Sequence, residues 1–250
     1  MSDENIVVVV GAGHAAGAFA EAIRKEGYGG ELLLVGQEAY APYQRPPLSK
    51  AYLAGDMEAH RLSLRPDSFY EKKNIHLKLS TQVSSIDPAA KSITTASGET
   101  LSYNKLVIAT GTRVRKLPVP GATLSGVHYI RTIEDVISVL ANWQEAKNIV
   151  IIGAGFIGLE VAAVARKADK KVTVLEGQDR VMPRVVAPVI SQYYEDYHRN
   201  EGVKIICGAS VTGITGELRA EAVTCADGSI HAADMVIVGI GVIVNIELAE

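Results

Sequence analysis

The stretch from Ile149 to Glu160, IVIIGAGFIGLE, decides how the rest of the chain is read. Four β-branched residues in a row suit a strand buried on both faces. Glycines follow at 153, 155 and 158, then a helix-like segment, then a second apolar run, KVTVLE, at 171–176. Strand, glycine turn, helix, strand is the opening of a parallel α/β unit. In such a unit the first glycine allows the tight turn, the second admits a pyrophosphate close to the backbone, and the third lets helix and strand pack closely. The diphosphate meets free N–H groups at the positive end of the helix. A Gly-rich turn alone says little, but here the strand precedes it and the helix follows it. Glu176 ends the second strand, 23 residues after Gly153. A carboxylate there accepts both ribose hydroxyls of an adenosine and repels a 2′-phosphate, so the unit is expected to prefer NADH to NADPH.

The same unit occurs earlier. IVVVVGAGHAAG begins at Ile6 and continues to ELLLVG at 31–36. Gly11 and Gly13 keep their places, Ala16 takes the third, and Gly17 follows. The acid is missing: Gly36 and Gln37 stand there with Glu38 beside them, leaving Gln37 or Glu38 to meet a ribose. Two units about 140 residues apart mean two nucleotide domains rather than a repeat array. Each half also has a closing strand, in YNKLVIATGT (103–112) and in DMVIVGIG (234–241). Before each closing strand lies a Thr/Ser-rich, β-like region with a turn signal, SGE or DGS. The expected architecture is α/β, with two Rossmann-like dinucleotide-binding domains, each carrying a small β-rich insertion. Residues 1–112 form the first domain, 113–243 the second, and 244–250 begin a return to the first. The prolines of RVRKLPVPG (113–121) suit the crossing.

Composition narrows the function classes. Twenty-five Lys and Arg against 28 Asp and Glu leave a net charge of −3, without the basic excess of a nucleic-acid binder. Cys207 and Cys225 are far apart and match neither a metal spacing nor a CxxC redox pair. MSDENIVVVV lacks the basic start of a signal peptide. The run MVIVGIGVIV is far shorter than the ~20 residues of a membrane span. These features lead to the expectation of a soluble cytoplasmic protein with no metal and no membrane partner.

One stretch fits none of this. PYQRPPLSK (42–50) packs three prolines and two cations into nine residues just after the second strand of the first unit. Alone, it reads equally well as a surface connection and as a stiff loop holding charge in place.

The combination of GAGHAAG, PYQRPPLSKAYL, LVIATG, RTIEDV, GAGFIGLEVAA and GIGVIVNIELA resembles the NADH-dependent ferredoxin reductases of the putidaredoxin reductase type. These flavoproteins serve bacterial haem monooxygenases and Rieske oxygenases. The resemblance covers nearly the whole chain and implies two cofactors, FAD and NADH, and a [2Fe–2S] ferredoxin as partner. It places Gly11, Gly13 and Ala15 at the FAD pyrophosphate and Gln37 near the ribose. Arg45, Pro47 and Lys50 line the flavin, and Val83 meets the adenine side. Ala109, Thr110 and Gly111 run along FAD, which Arg131 also reaches. Gly153, Gly155, Ile157, Gly158 and Glu176 bind NADH, with Gly239 to Gly241 passing beneath it. Glu160 lies near the nicotinamide, positioned to pair with Lys50; these two are the candidate catalytic residues. A fixed cation beside the flavin stabilises the negative charge of its reduced form.

The missing cysteine pair separates this reading from the disulfide reductases built on the same plan. Two alternatives remain at this stage. One is an NADH oxidase or nitrite-reductase-like enzyme with a different acceptor. The other is a non-catalytic nucleotide-binding module of the apoptosis-inducing-factor type, since fold does not fix function. The family also has a later Gly-Asp segment that returns to FAD and a C-terminal β-rich domain that shapes the partner face; this sequence ends at ELAE. Val244 stands where the family has proline.

Overall fold

The computed structural model describes residues 5–250, so the first four residues of the acidic start lie outside it. The chain divides into two compact units. One comprises the chain up to Arg45 with 59–113 and 244–250; the other comprises 46–58 and 114–243.

The first unit opens with β1 (Ile6–Val10), α1 (His14–Lys25) and β2 (Glu31–Val35). It continues through α2 (Asp67–Lys72), β3 (Ile75–Lys78), a meander of β4 (Val83–Asp87), β5 (Ser92–Thr95) and β6 (Thr100–Ser102), and β7 (Lys105–Ile108). β8 (Thr112–Val114) leads out of it. The main sheet is parallel with order β3-β2-β1-β7. Side chains alternate between its faces, with the period of two a strand imposes. Val7, Val9, Leu32 and Leu34 meet Ala16 and Ala20 of α1 and Tyr70 of α2. Val8, Val10 and Val35 meet Val83 and Ile93 of the meander on the other face. Both faces of β1 are therefore buried, which is why an unbroken valine run suits it. Burying each such side chain stabilises by roughly 1.5–3 kcal/mol relative to leaving it exposed.

The second unit repeats the plan. β9 (Val127–Tyr129) and α3 (Ile133–Trp143) precede β10 (Asn148–Ile152), α4 (Phe156–Lys167) and β11 (Lys171–Glu176). Then come α5 (Pro188–Asn200), β12 (Lys204–Cys207), the meander β13 (Val211–Thr215), β14 (Ala222–Cys225) and β15 (Ile230–Ala232), and β16 (Met235–Val238). β17 (Val242–Val244) follows and pairs with β8 in a two-stranded sheet. The main sheet, β12-β11-β10-β16-β9, is parallel throughout. Val150, Ile152, Leu175, Val236 and Val238 pack on one face against Ile214, Val223 and Cys225 of the meander. The two Rossmann-like units and their β-rich insertions are thus as the sequence led us to expect.

The partition differs from the expected boundaries by one residue at Arg113, which falls in the first unit, and more substantially at one segment. Residues 46–58 were expected with the first unit and cluster with the second. The cause is local: Pro46–Ser49 forms a single 3-10 turn that lies against α3 and α4. The proline-rich loop is thus an ordered part of the unit carrying the complete glycine motif. No helix among the described residues is long and apolar enough to cross a membrane.

Candidate functional site

In the second unit the glycines divide into two physical kinds. Gly153 has φ +104°, and a Cβ there would lie 2.5 Å from the Gly239 oxygen. A Cβ on Gly158 would lie 2.1 Å from the Gly153 oxygen. Both positions need glycine to let β10, α4 and the chain after β16 approach one another. At Gly155 a Cβ would meet nothing within 4 Å. That opening lies at the start of α4, where Gly155 is the N-cap, no side chain caps the helix and the first turn holds no acid. By contrast, α3 satisfies its own N-terminus with a capping box between Thr132 and Asp135. An uncapped helix start beside open space suits a diphosphate, whose oxygens accept from the free N–H groups.

Glu176 stands at the rim of this turn. Its Oε2 accepts from the Ala154 N–H at 2.6 Å and its Oε1 from the Gln178 N–H at 2.9 Å. The carboxylate is therefore fixed before any ribose arrives. Ile157 is exposed on the first turn of α4 beside Phe156. Gly239 donates its N–H to the Ile152 carbonyl and passes behind Gly153, while Gly241, at φ +104°, faces open space.

Further along α4, Glu160 is partly buried and holds two groups from the 46–58 segment. Lys50 Nζ lies 2.7 Å from its Oε1, and Ser49 Oγ donates to its Oε2 at 2.5 Å. Lys50 also approaches the Pro46 carbonyl at 3.3 Å. Pro47, Lys50 and Arg131, all expected beside FAD, belong to the second unit. The Arg131 backbone N–H donates to Asp135.

The first unit has the looser cradle. Gly11 has φ +112°, and its Cβ would lie 2.2 Å from the Ala109 oxygen, whereas Gly13 is open. α1 likewise starts at an uncapped glycine with no acid in its first turn. Ala15 is exposed there, Ala16 fills the third position fully buried, and Gly17 lets Pro42 and Leu64 pack against the helix. These features fit a second diphosphate. Glycine takes the place of the acid, and the backbone there runs so close to the turn before α1 that a Cβ on Gly36 would lie 2.5 Å from the Ala12 Cβ. Gln37 beyond it is exposed, whereas Glu38 is committed: its Oε1 pairs with Arg45 at 2.5 Å and its Oε2 accepts from the Tyr43 hydroxyl. Arg45 also sits over the Tyr43 ring, 4.9 Å from its centroid. Arg45 is thereby tied to an acid of its own unit. Val83 is buried at the start of the meander.

Ala109, Thr110 and Gly111 are stitched to Asn245. Thr110 Oγ1 donates to the Asn245 carbonyl at 2.6 Å, Asn245 Nδ2 donates to the Thr110 carbonyl at 2.9 Å, and the Asn245 N–H donates to Gly111 at 3.0 Å. Sequence reasoning missed Ser49, Asn245 and the Tyr43–Glu38–Arg45 cluster. The NIELA stretch was read for its resemblance rather than for the polar reach of its asparagine.

Comparison with known proteins agrees with this architecture. The chain matches the pyridine nucleotide-disulphide oxidoreductase family over residues 5–250. It is 43% identical over 244 residues to rhodocoxin reductase of Rhodococcus erythropolis, covering 97% of this chain and 57% of that protein. The ferredoxin reductase for the CYP199A2 system from Rhodopseudomonas palustris superposes with a TM-score of 0.95 at 42% identity, over 98% of this chain and 61% of that one. Putidaredoxin reductase, in its covalent complex with putidaredoxin, superposes with a TM-score of 0.94 at 41% identity, over 99% and 61%. The chain spans about three fifths of the length of these relatives.

Proposed function

The chain belongs to the pyridine nucleotide-disulphide oxidoreductase family, and from that premise we propose that it acts as an FAD-dependent, NADH-oxidising ferredoxin reductase. The reading is that electrons pass from NADH through FAD to a [2Fe–2S] ferredoxin, which serves a haem monooxygenase or Rieske oxygenase in the cytoplasm. The observation that carries it is the NADH-type site of the second unit. There an open Gly155 and an uncapped α4 lie beside a Glu176 already fixed on the turn. The acceptor is supported by the relatives, which are named for rhodocoxin, putidaredoxin and a CYP199A2 system.

FAD, when bound, supplies the exchange between two-electron hydride chemistry and one-electron release. The chain's own residues bind and orient. Gly11, Gly13 and the start of α1 hold one diphosphate; Gly153, Gly155 and the start of α4 hold the other. Glu176 selects a ribose without a 2′-phosphate. Lys50, held by Glu160, supplies a fixed positive charge for the flavin side, while Gln37, Val83, Ala109, Thr110 and Gly111 line the first cofactor. Cys207 and Cys225 are free, and the proposed electron path uses neither. The testing experiment compares NADH-driven cytochrome c reduction with and without a [2Fe–2S] ferredoxin, while oxygen uptake is followed. Strong ferredoxin dependence supports the reading; fast oxygen consumption indifferent to ferredoxin assigns the oxidase chemistry instead.

A further inference from the structure

We propose that Ser49 is a positioning residue: its hydroxyl fixes the Glu160 carboxylate so that the other oxygen of that carboxylate holds Lys50. This rests on the proposed reductase reading, in which Lys50 is the fixed cation. Ser49 and Lys50 are neighbours in sequence, yet each takes a different oxygen of one acid on α4. Ser49 Oγ meets Oε2 at 2.5 Å and Lys50 Nζ meets Oε1 at 2.7 Å.

The two contacts differ in kind. The Lys50 side chain is 49% exposed, and an ion pair so open to water is loose and contributes little by itself. Ser49 is only 4% exposed. It sits at the end of a 3-10 turn tied by Lys50 and Tyr52 N–H groups to the Pro47 carbonyl. A short O–H···O⁻ bond from a buried, backbone-fixed hydroxyl is directional and strong. It sets the rotation of the carboxylate, which the exposed lysine cannot do. Pro46 and Pro47, the first two residues of the turn, fix its backbone. Removing the carboxylate would also leave the Ser49 hydroxyl buried without its acceptor. The serine of PPLSK thus sets the geometry, and the lysine beside it carries the charge.

The test compares wild type with Ser49→Ala, Ser49→Thr, Glu160→Ala and the Ser49→Ala/Glu160→Ala pair. The FAD-loaded chain is mixed anaerobically with NADH. Ser49→Ala is expected to slow flavin reduction at saturating NADH about tenfold, with KM for NADH within about twofold, because misplacement of a group near the reacting centre costs rate rather than binding. Ser49→Thr, which keeps the hydroxyl, is expected to retain most of the rate. In the Glu160→Ala background, Ser49→Ala is expected to cost almost nothing more, since coupled residues are non-additive. An unchanged rate in Ser49→Ala, equal losses in both backgrounds, or a Thr variant as slow as Ala would overturn the proposal. The same four variants are also unfolded in urea without flavin. Non-additive unfolding equilibria support the Ser49–Glu160 link, and additive ones refute it, even if the wild-type flavin proves unreactive to NADH and the reductase reading itself fails.

Discussion

The Glu176 carboxylate and the Ala154 backbone N–H meet at 2.6 Å, so the acid proposed to select the dinucleotide is anchored to the glycine turn proposed to hold its diphosphate. A second N–H, from Gln178, takes the other oxygen. A carboxylate held in this way cannot swing aside for a 2′-phosphate. NADH is therefore expected to bind at least tenfold more tightly than NADPH. Glu176→Ala is expected to cost NADH roughly 1.5–3 kcal/mol, the usual worth of hydrogen bonds to a charged group, while affecting NADPH far less. Titration calorimetry with both nucleotides checks this; an unchanged ratio in the variant counts against it.

Gly153 and Gly155 are two residues apart and should fail differently. Gly153→Ala meets both a left-handed φ and the Gly239 oxygen, so its main expected effect is a loss of stability of about 3 kcal/mol or more. Gly155→Ala has open space around the new methyl group. It should keep its melting temperature within a few degrees and lose nucleotide affinity instead. Thermal unfolding and NADH titration of the pair separate the two roles.

His128 on β9 supplies a pH dependence. Burial pushes its imidazole below the usual 6.5, against a smaller opposing pull from Asp135. Its Nδ1 lies 3.3 Å from Ser138 Oγ, and its buried Nε2 has no partner within the described residues. Since the folded state resists the proton more than the unfolded chain does, stability is full above about pH 6.5 and falls as pH drops toward the lower folded value. His198 of α5 is shifted the same way by burial. Urea midpoints from about pH 7.5 down to about pH 5.5 should fall, and His128→Gln should flatten part of that slope. A midpoint independent of pH across this range refutes the account.

Cys207 should be a poor nucleophile. Burial, with Glu195 and Glu176 nearby, pushes its thiol up to about 11, and only the thiolate reacts. Alkylation with iodoacetamide at neutral pH is expected to be far slower than for a free cysteine in solution. Rapid labelling of Cys207 in the folded chain would contradict the environment described.

Much of this was legible in the sequence because it rests on short-range rules. The valine and isoleucine runs announce buried parallel strands, and GAGFIG announces its own turn. The Thr/Ser-rich stretches with SGE and DGS announce the two meanders. Residues 46–58 were harder. No local pattern says which unit a proline-rich loop packs against; that is decided by α3 and α4, distant in sequence. Glu38 showed a similar limit. Its spacing offered it to a ribose, but Arg45 and Tyr43, brought back by the turn between them, hold its two oxygens. The Asn245 bonds to Thr110 join residues 135 positions apart, a separation beyond the reach of periodicity.

The most direct test of the central claim is the visible spectrum of the chain after incubation with FAD and removal of the excess, before and after anaerobic addition of NADH. The account predicts a yellow protein whose flavin bands bleach with NADH and bleach far less readily with NADPH at equal, low concentration. A chain that stays colourless, or a bound flavin that NADH leaves oxidised, would contradict it.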